Sequence, residues 1–496
     1  MSAPQLEDVA VADLQRRCEN AVGAGERLQM LYAWFPDREA GTPELRYLIH
    51  RGTQAMRIWR CRPGPEGTPS LAAIAPLLSW YEREVTDLCG LHFENLPEPR
   101  PLVLLPGAQA SVPPLLPGSR ATVRYTPAPP PLPEIAGRTS GEVQILPFGP
   151  VRADVVESAQ FDFYYLGEAI VHYHPQLFFK HRGMELRFEG LAPELGAVLA
   201  ERVSGVGSVA HALAYCQALE SAAGCAVPAR ARWLRVLLAE LERLYNHLHY
   251  LGHLCHATTL KVGEAEGKYL EELAKQINGR ATGNRLLRGL IAPGGLRRMP
   301  RLAGLLDALG PLDAELGAYA EMLESTSSHL DRLITTGVLS RKLAFDQGAT
   351  GPVERASGLE RDLRQDQPYA AYPQLPVEIA VRQAGDAHAR QQVRIAEIHR
   401  SVRLIERALE SLPDGPIRSV CEVAPGAEGI GWCESPRGSL YYSVHVDGRG
   451  RLARVKIKSP SFSNWRVFAF TVHESNMMDY AINEASFGLT IAGCDR

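Results

Sequence analysis

The spacing of apolar and polar residues changes along the chain and separates an N-terminal part from a longer C-terminal part. Near the N-terminus, short runs rich in β-forming residues predict strands, and these runs are RLQMLYAWF, LRYLIHR and MRIWRC. The following run SLAAIAPLLSWYEREVTDLCG has the three- and four-residue apolar spacing of a helix. The pattern therefore predicts a small α/β domain over residues 1–104.

A stretch dense in proline, glycine and serine follows from Pro101 to Gly141. Proline removes backbone donors and fixes φ, so such a composition disfavours regular structure. We expect residues 105–140 to form an extended linker, or a strap that lies over a partner.

The C-terminal part, residues 141–496, begins with the strand-forming runs GEVQILPFGP and QFDFYYLGEAIVHY and then turns to long helices. In ARARWLRVLLAELERLYNHLHYLGHLCHA, apolar residues from Trp233 to Cys255 recur at three- and four-residue steps, which predicts a buried bundle helix. Similar spacing marks RLAGLLDALGPLDAELGAYAEMLESTSSHLDRLI and RQQVRIAEIHRSVRLIERALESL. Alternation returns in SLYYSVHVDGRGRLARVKIKSPSF, where DGRG predicts a hairpin turn. The predicted fold class is α+β.

The composition limits which partners and which cellular compartment we expect for the chain. A net charge of -3 with 22% charged residues offers no basic face, so we expect no nucleic acid partner. No run approaches the roughly eighteen apolar residues of a membrane helix, and the first fifteen residues carry acids where a signal peptide is apolar. The nine cysteines are scattered and odd in number, as in a reduced cytosolic protein. We therefore expect a soluble, cytoplasmic chain.

Several motifs, in order along the chain, carry a resemblance to a known family. Residues 80–102, WYEREVTDLCGLHFENLPEPRPL, resemble the small hydrophilic subunit of complex I, the NADH:quinone oxidoreductase. The runs HRGMELRFEG, ERVSGVGSVAHALAYCQALE and LLAELERLYNHLHYLGHL resemble its large hydrophilic subunit and the large subunit of formate-hydrogenlyase-type [NiFe]-hydrogenases. Further matching runs are APGGLRR, RASGLERDLRQDQPYAAY, ESPRGSLYYSV and KIKSPSFSNW. The fused order resembles the formate-hydrogenlyase large subunit.

This resemblance implies an α/β N-terminal domain and a helical-bundle domain with flanking β-sheets. It implies a small partner subunit that carries a [4Fe-4S] cluster, and antiporter-like and anchor subunits in the membrane. The chain would then be peripheral, on the cytoplasmic side of the inner membrane. The resemblance assigns no cofactor to this chain itself, apart from quinone as one candidate acceptor.

The hydrogenase relatives hold nickel and iron with two Cys-x-x-Cys pairs, since soft anionic thiolates suit these metals. The first pair falls here on Ser204 and Gly207, and the second on Thr490 and Gly493. All four ligands are missing. Cys494 lies one residue away from the second pair and is interpreted as a small buried thiol. The resemblance therefore implies a chain without a nickel-iron centre.

Complex I uses the same cavity for quinone, and the resemblance places a histidine after FGP and a tyrosine before the AY helix. This chain has Arg152 in the first loop and Gly205 at the second position. Three hypotheses stand. The chain is an electron-transfer subunit that passes electrons to quinone or another acceptor, it is a catalytically inactive structural subunit, or it is a [NiFe]-hydrogenase, which would need ligands it lacks.

The resemblance also supplies candidate site residues. Glu185 of HRGME matches a carboxylate beside the pocket, where a buried acid with a raised pKa could relay protons. The alternative is that it pairs with Arg182 or caps a helix. Arg182 and His181 share the motif. His211 falls in the AH position and either bonds toward the cluster or is a core histidine.

Arg361 and Arg364 belong to RDLRQD, a dense run of alternating charge. Such a run is usually a solvated face, whereas the resemblance points one of these arginines at the cavity or the cluster subunit. We take both as candidate catalytic residues, together with Glu185, and Arg182, His211 and Gly205 as candidate cofactor-binding residues.

Two further groups have both a structural and a functional interpretation. Three histidines at four- and three-residue steps, His249, His253 and His256, share a helix face and either pack or bind a metal. Arg83 and Asp87 are either an exposed helix pair or part of a docking segment, and we prefer docking.

Overall fold

The computed structural model describes residues 4–37, 42–64, 67–118, 121–126, 141–152, 157–473 and 475–496. It combines helices and sheets, which confirms the α+β prediction. Within these residues no helix is both long and apolar enough to cross a membrane.

The N-terminal part has a four-stranded sheet of β1 (Gln5–Asp8), β2 (Arg27–Trp34), β3 (Glu44–His50) and β4 (Arg57–Cys61). The strand order is β1-β4-β3-β2, with β1 parallel to β4 and the other pairs antiparallel. The predicted strands of this region are therefore confirmed.

Two helices pack with this sheet, α1 (Leu14–Gly23) and α2 (Ser79–Cys89). Helix α2 begins later than the apolar spacing predicted, because Pro76 opens a separate 3-10 turn at residues 76–78. Gly90 ends the helix with a φ of 73°, a left-handed conformation that glycine adopts without strain.

The stretch predicted as an unstructured linker contains short strands. Strands β5 (Thr68–Pro69) and β6 (Phe93–Glu94) pair just before it. Within it, β7 (Ala108–Ala110) and β8 (Val123–Tyr125) form a two-stranded antiparallel ribbon. The prediction of no regular structure is wrong for these six residues. Residues 119–120 and 127–140 of the predicted linker lie outside the described residues.

The C-terminal part contains three small sheets and a set of helices. Its strands are β9 (Gln144–Phe148), β10 (Gln160–Leu166), β11 (Ala169–Gln176), β12 (Ile291–Ala292), β13 (Gly295–Leu296), β14 (Glu428–Ser435), β15 (Gly438–Val446) and β16 (Leu452–Lys458). They form the orders β11-β10-β9, β12-β13 and β14-β15-β16.

The helices of this part include the long ones that the apolar spacing predicted. They are α3 (Met184–Arg187), α4 (Pro193–Ala200), α5 (Ser208–Ala223), α6 (Ala229–Ala257), α7 (Lys261–Thr282), α8 (Leu305–Ser325), α9 (Ser327–Leu333), α10 (Arg341–Asp346), α11 (Pro352–Ala356), α12 (Leu363–Asp366), α13 (Ala387–Glu410), α14 (Pro460–Phe468), α15 (Tyr480–Phe487) and α16 (Ile491–Asp495).

Helices α5 and α6 form the centre of the core. Helix α6 is 29 residues long, and residues on nearly all its faces are buried between α5, α7 and α13. Helix α5 lies across β14, and glycine permits the close approach. A Cβ on Gly431 would lie 2.1 Å from the carbonyl oxygen of Ala214. The core thus places the start of α5 beside the sheet β14-β15-β16.

Helices α6 and α7 also meet at glycines, which gives a test of the packing. A Cβ on Gly267 would lie 2.7 Å from Cα of Gly252 and 2.6 Å from the Tyr319 hydroxyl. We expect Gly267→Ala to lower the free energy of unfolding by about 1–3 kcal/mol through overpacking. Gly317, in α8, has open space around it, so Gly317→Ala should raise stability by about 0.5–1 kcal/mol. Chemical denaturation of both variants checks this, and equal effects of the two changes would contradict the packing.

Candidate functional site

The four positions that replace the cysteine pairs come together in space. Ser204 and Gly207 lie before α5, while Thr490 and Gly493 lie at the start of α16, and all four line one cavity. This cavity has a volume of about 20 Å³, which is room for about one water molecule. The structure therefore brings together the positions that the family motifs marked as a single site.

Arg182 holds the two loops of this site against each other. Its guanidinium donates to the carbonyl oxygen of Arg202 at 3.0 Å, to that of Val203, and to that of Ala492 at 3.1 Å. Its backbone NH also donates to the carbonyl of Arg496 at 2.9 Å. Arg182 thus orders the cavity wall from outside, and it does not line the cavity.

The side chains around the cavity do not fit a nickel-iron centre. Hydroxyl groups and glycines offer no soft anionic sulfur. The neighbours also fill the space that two cysteines would need. A Cβ on Gly493 would lie 2.5 Å from Oγ1 of Thr490, and one on Gly207 would lie 3.1 Å from Cδ2 of His211. The same space leaves no room for a quinone ring.

Cys494 does not replace the missing ligands. Its thiol is fully buried outside the cavity lining, and burial raises its pKa well above the usual range. This agrees with its interpretation as a small buried thiol. All nine cysteines are free, as the scattered pattern predicted.

His211 lines the cavity and is held from the other side. Its Nδ1 lies 2.8 Å from the Tyr442 hydroxyl, and burial lowers its pKa to about 3. The imidazole is therefore neutral at physiological pH. The ring is thus a core side chain whose other edge reaches the cavity near Gly207, and its bond toward the cluster stays a prediction.

Arg437 was missed by the sequence analysis, although it lines the cavity. It donates through Nε to the carbonyl of Gly488 at 2.8 Å and through Nη1 to Oδ1 of Asn246 at 2.5 Å. Burial lowers its pKa to about 10, which leaves the guanidinium charged. It lies in the motif ESPRGSLYYSV, and the family resemblance of that run was the available signal.

Glu185 is buried in a cluster of cations. Its carboxylate lies 2.8 Å from Arg454, 3.2 Å from Lys456 and 3.3 Å from Arg496. It also accepts a hydrogen bond from the backbone NH of Ile457 at 3.1 Å.

This environment decides the charge of Glu185. Burial acts to raise its pKa, but Lys456, Arg454 and Arg496 outweigh burial and hold the pKa well below the usual range. The expected raised pKa is therefore wrong. The alternative pairing with Arg182 is also wrong, because the partners are the three cations of the cluster.

Glu84, on α2, joins the same cluster from the N-terminal part. It lies 2.7 Å from Lys456 and 2.9 Å from Arg496. Two carboxylates and three cations thus meet in the interior and join α2 to β16. Lys456 and Arg454 alternate with apolar residues in RVKIK, so the sequence places them on one face of a strand. That face is buried, which periodicity alone did not reveal.

Arg83 is buried and Asp87 is half-buried, so their interpretation as an exposed helix pair is wrong. Arg83 donates to the carbonyls of Arg100 at 2.8 Å and Pro101 at 3.0 Å. Asp87 accepts from the backbone NH groups of Leu102 and Val103 at 2.7 and 2.8 Å. Both hold residues 100–103 against α2, and the role of this segment in docking stays a prediction.

The charged run RDLRQD is largely buried, so its interpretation as a solvated face is wrong for Asp362 and Arg364. Arg364 contacts Asp362 at 2.8 Å and Glu240 at 3.2 Å. The adjacent Arg355 contacts Glu397 at 2.7 Å and Glu434 at 3.0 Å. The result is an interior network of paired charges.

Arg361 lies at the edge of this network, 3.7 Å from the Glu354 carboxylate, and lines a separate cavity of about 10 Å³. Neither Arg361 nor Arg364 lines the cavity of the four ligand positions. Gly205 is also outside that lining, and its carbonyl accepts from Arg288 at 3.4 Å. The catalytic and binding roles of these residues stay predictions.

Arg152, at the position where the resemblance predicts a histidine, has its contacts within the chain. It lies 3.1 Å from the Glu484 carboxylate and 4.8 Å from the centre of the Phe161 ring. Its charge is therefore paired and stacked.

The three histidines of α6 share a face as predicted. The rings of His249, His253 and His256 stack with neighbouring centroids 6.3 Å apart. Two of them pair with acids of α7, His249 with Glu271 at 3.1 Å and His256 with Glu264 at 3.0 Å. Across the described ranges no group of three or more metal-binding side chains is close enough to hold an ion.

Family profiles match most of the chain in sequence order. Residues 9–117 match the respiratory-chain NADH dehydrogenase 30 Kd subunit. Residues 182–285 match the nickel-dependent hydrogenase family. Residues 270–425 and 421–496 match the respiratory-chain NADH dehydrogenase 49 Kd subunit.

Individual relatives show the same combination. The chain is 31% identical to formate hydrogenlyase subunit 5 of Escherichia coli (strain K12), over 83% of this chain and 74% of the relative. It is 28% identical to the C/D protein of NADH-quinone oxidoreductase from Rhodopseudomonas palustris (strain BisB18), over 86% of this chain and 82% of the relative.

A solved structure also matches. It is a chain from the structure of the membrane-bound sulfane sulfur reductase, an archaeal respiratory membrane complex, with a TM-score of 0.68 and 27% identity. The match covers 72% of this chain and 99% of that chain.

Proposed function

This chain belongs to the family that includes formate hydrogenlyase subunit 5 and the C/D protein of NADH-quinone oxidoreductase, and we propose that it is the large hydrophilic subunit of a membrane-associated oxidoreductase complex without nickel-iron chemistry. Its relatives are subunits of membrane-bound hydrogenase and complex I-like complexes. In this role it packs against a small subunit with a [4Fe-4S] cluster and is seated on antiporter-like and anchor subunits, on the cytoplasmic side of the inner membrane.

The proposed division of labour follows the three parts of the sequence. Residues 1–104 dock through α2 against the larger part, residues 105–140 link the two, and residues 141–496 contact the cluster subunit. The buried cluster of Glu84, Glu185, Lys456 and Arg496 supports a rigid union of the first and third parts.

The observation that carries the proposal is the filled cavity. Ser204, Gly207, Thr490 and Gly493 line a space for about one water molecule, with no sulfur ligand among them. A cavity of this size favours a structural subunit that couples the cluster subunit to the membrane subunits. The catalytic roles of Glu185, Arg361 and Arg364 would then be absent.

Purification of the tagged chain from membranes of its native host, in mild detergent, tests membership of a complex. We expect the chain to co-purify in a fixed ratio with integral membrane subunits and with an iron-sulfur protein. Recovery of the chain alone, from both membrane and soluble fractions, would contradict the proposal.

The second candidate is an electron-transfer subunit in which the same cavity opens to receive quinone or another acceptor. Two polar groups at the cavity favour it, the charged guanidinium of Arg437 and the neutral ring of His211. Buried groups of this kind are also common at redox and catalytic sites.

Filling the cavity separates the two candidates. Ser204→Val adds apolar bulk inside the space, whereas Ser204→Ala is the matched control that adds none. In assembled complexes the structural role predicts equal rates of oxidation of a reduced viologen dye by wild type and both variants. A tenfold or greater loss of rate in Ser204→Val alone, with assembly intact, would favour the electron-transfer role.

A further inference from the structure

A cavity larger than that of the four ligand positions lies away from them, between the N-terminal part and the C-terminal part. Its volume is about 500 Å³, within the range of about 300–1,000 Å³ typical of small-molecule sites. Residues 98–107 and α2 form one side, and β11 with the end of α14 forms the other. Aromatic side chains supply much of its wall, namely Trp80, Tyr173, Phe178 and Phe470.

The charged groups that face this cleft are not balanced. Three arginine residues line it, Arg83, Arg100 and Arg466, against the single acidic residue Glu98. Arg83 lies 3.0 Å from Glu98, and Arg100 also pairs with Glu98. The carboxylate of Glu98 is thus shared by two guanidinium groups.

Arg466 has no carboxylate partner of its own. The residue is 9% exposed, and within the described ranges no acidic oxygen lies within 4.0 Å of its guanidinium. Its hydrogen bond goes to the carbonyl oxygen of Gln347 at 2.8 Å. A buried cation without a counter-charge is costly, because the desolvation of the charge is not offset by a partner. Such a group is well placed to gain from an anion.

The two histidines of the cleft add donors without adding negative charge. Burial lowers the pKa of His172, and the neighbouring His473 lowers it further. Burial also lowers the pKa of His174, and the positive charge of Arg100 lowers it further. Both rings are then neutral near pH 7. The residues that line the cleft therefore carry an excess of two positive charges, from three arginines and one glutamate.

The backbone at one wall is strained. Phe178 has a φ of 69°, in the left-handed region that bulky residues rarely adopt. Its ring lies edge-on to Trp80, with centroids 6.3 Å apart, so the packing holds this conformation. Strain that the surroundings maintain is typical of ligand-binding positions.

We propose that this cleft binds a small organic anion, a carboxylate, sulfonate or phosphate group carried on an aromatic or other apolar body. The anionic group lies between Arg466 and Arg100, and the apolar body lies against Trp80, Phe178 and Phe470. This site is separate from the cavity of the four ligand positions, so the proposal does not depend on the function proposed above.

A matched pair of fluorescent probes tests the proposal on the purified full-length chain. One probe is 1-anilinonaphthalene-8-sulfonate, and the other is N-phenyl-1-naphthylamine, which has the same rings without the sulfonate. We expect one sulfonate probe to bind per chain. The neutral probe should bind at least about tenfold more weakly, since a charge-assisted contact contributes about 1.5–3 kcal/mol.

Variants then locate the site. Arg466→Gln and Arg100→Gln should each weaken the sulfonate probe about tenfold and leave the neutral probe unchanged. Arg285→Gln is the control, because Arg285 is an exposed arginine paired with Glu272. Arg100 is half-exposed, so Arg100→Gln should fold normally. This variant therefore tests the proposal even if Arg466→Gln fails to fold. Equal binding of the two probes, or unchanged binding of the sulfonate probe in Arg100→Gln, would overturn the proposal.

Discussion

Glutamine in place of Glu185 should lower the free energy of unfolding by about 3–5 kcal/mol, the usual cost of removing one partner from a buried ion pair. The carboxylate is 7% exposed and lies within 3.3 Å of Lys456, Arg454 and Arg496. Of these cations, Lys456 and Arg496 would keep only Glu84, and Arg454 would lose its carboxylate contact.

Chemical denaturation of the purified chain measures this effect. Glu194→Gln is the matched control, because Glu194 is an exposed side chain in the first turn of α4 and should change stability by less than about 1 kcal/mol. A loss below about 1 kcal/mol in Glu185→Gln would contradict the buried pairing and restore the candidate proton-relay role.

The pH dependence has a definite sign. The pKa of Glu185 is depressed in the folded chain, so its stabilisation is fully present above the unfolded pKa of about 4.3 and is lost as the pH falls through the folded value. The difference between wild type and Glu185→Gln should therefore be constant from about pH 6 to about pH 8 and should shrink in acid.

Methionine in place of Arg355 should be comparably destabilising, again by about 3–5 kcal/mol. The fully buried guanidinium contacts three carboxylates, Glu397 at 2.7 Å, Glu434 at 3.0 Å and Asp362 at 3.3 Å. Methionine fills much of the volume but leaves these acids with fewer counter-charges in a low-dielectric interior. The variant should also lose stability as the pH rises, because unpaired buried acids are more stable when protonated.

Arg332→Met is the control for this change. Arg332 pairs with Asp479 at 3.1 Å, but the two side chains are 38% and 36% exposed, so the expected loss is about 0–1 kcal/mol. Thermal or chemical denaturation compares the variants. A similar loss in Arg332→Met and Arg355→Met would show that the interior network contributes no more than a surface pair.

The regular elements were largely predictable, and the reasons are local. Strands β2 to β4 and helices α6 and α13 follow from apolar spacing over long windows, where periodicity is strong. The start of α2 was not predictable in the same way, since Pro76 interrupts an apolar pattern that continues through it. The ribbon of β7 and β8 was missed because three-residue strands leave almost no alternation to detect.

The candidate site was also predictable only in part. Family motifs identified Ser204, Gly207, Thr490 and Gly493, and the chain does bring them together. The motifs carry no measure of the remaining space, which depends on how His211 and Ser461 pack around the two glycines. The charge state of Glu185 was mispredicted because its partners, Lys456 and Arg496, are 271 and 311 residues away along the chain, and only the fold brings them into contact.

The interior position of Arg364 was missed for a related reason. A run of alternating charge is solvated in most proteins, and burial of the run requires carboxylates from other elements. Here Glu240 of α6 pairs with Arg364, and Glu434 of β14 accepts a hydrogen bond from the backbone NH of Leu363. Neither is near RDLRQD in sequence.

Metal analysis of the intact complex, purified from the native host, tests the central claim most directly. The chain offers hydroxyls and glycines at the four ligand positions, around a space for about one water molecule. We therefore predict iron from the cluster subunit and no stoichiometric nickel, measured by plasma mass spectrometry against the chain concentration. One nickel per chain would contradict the account.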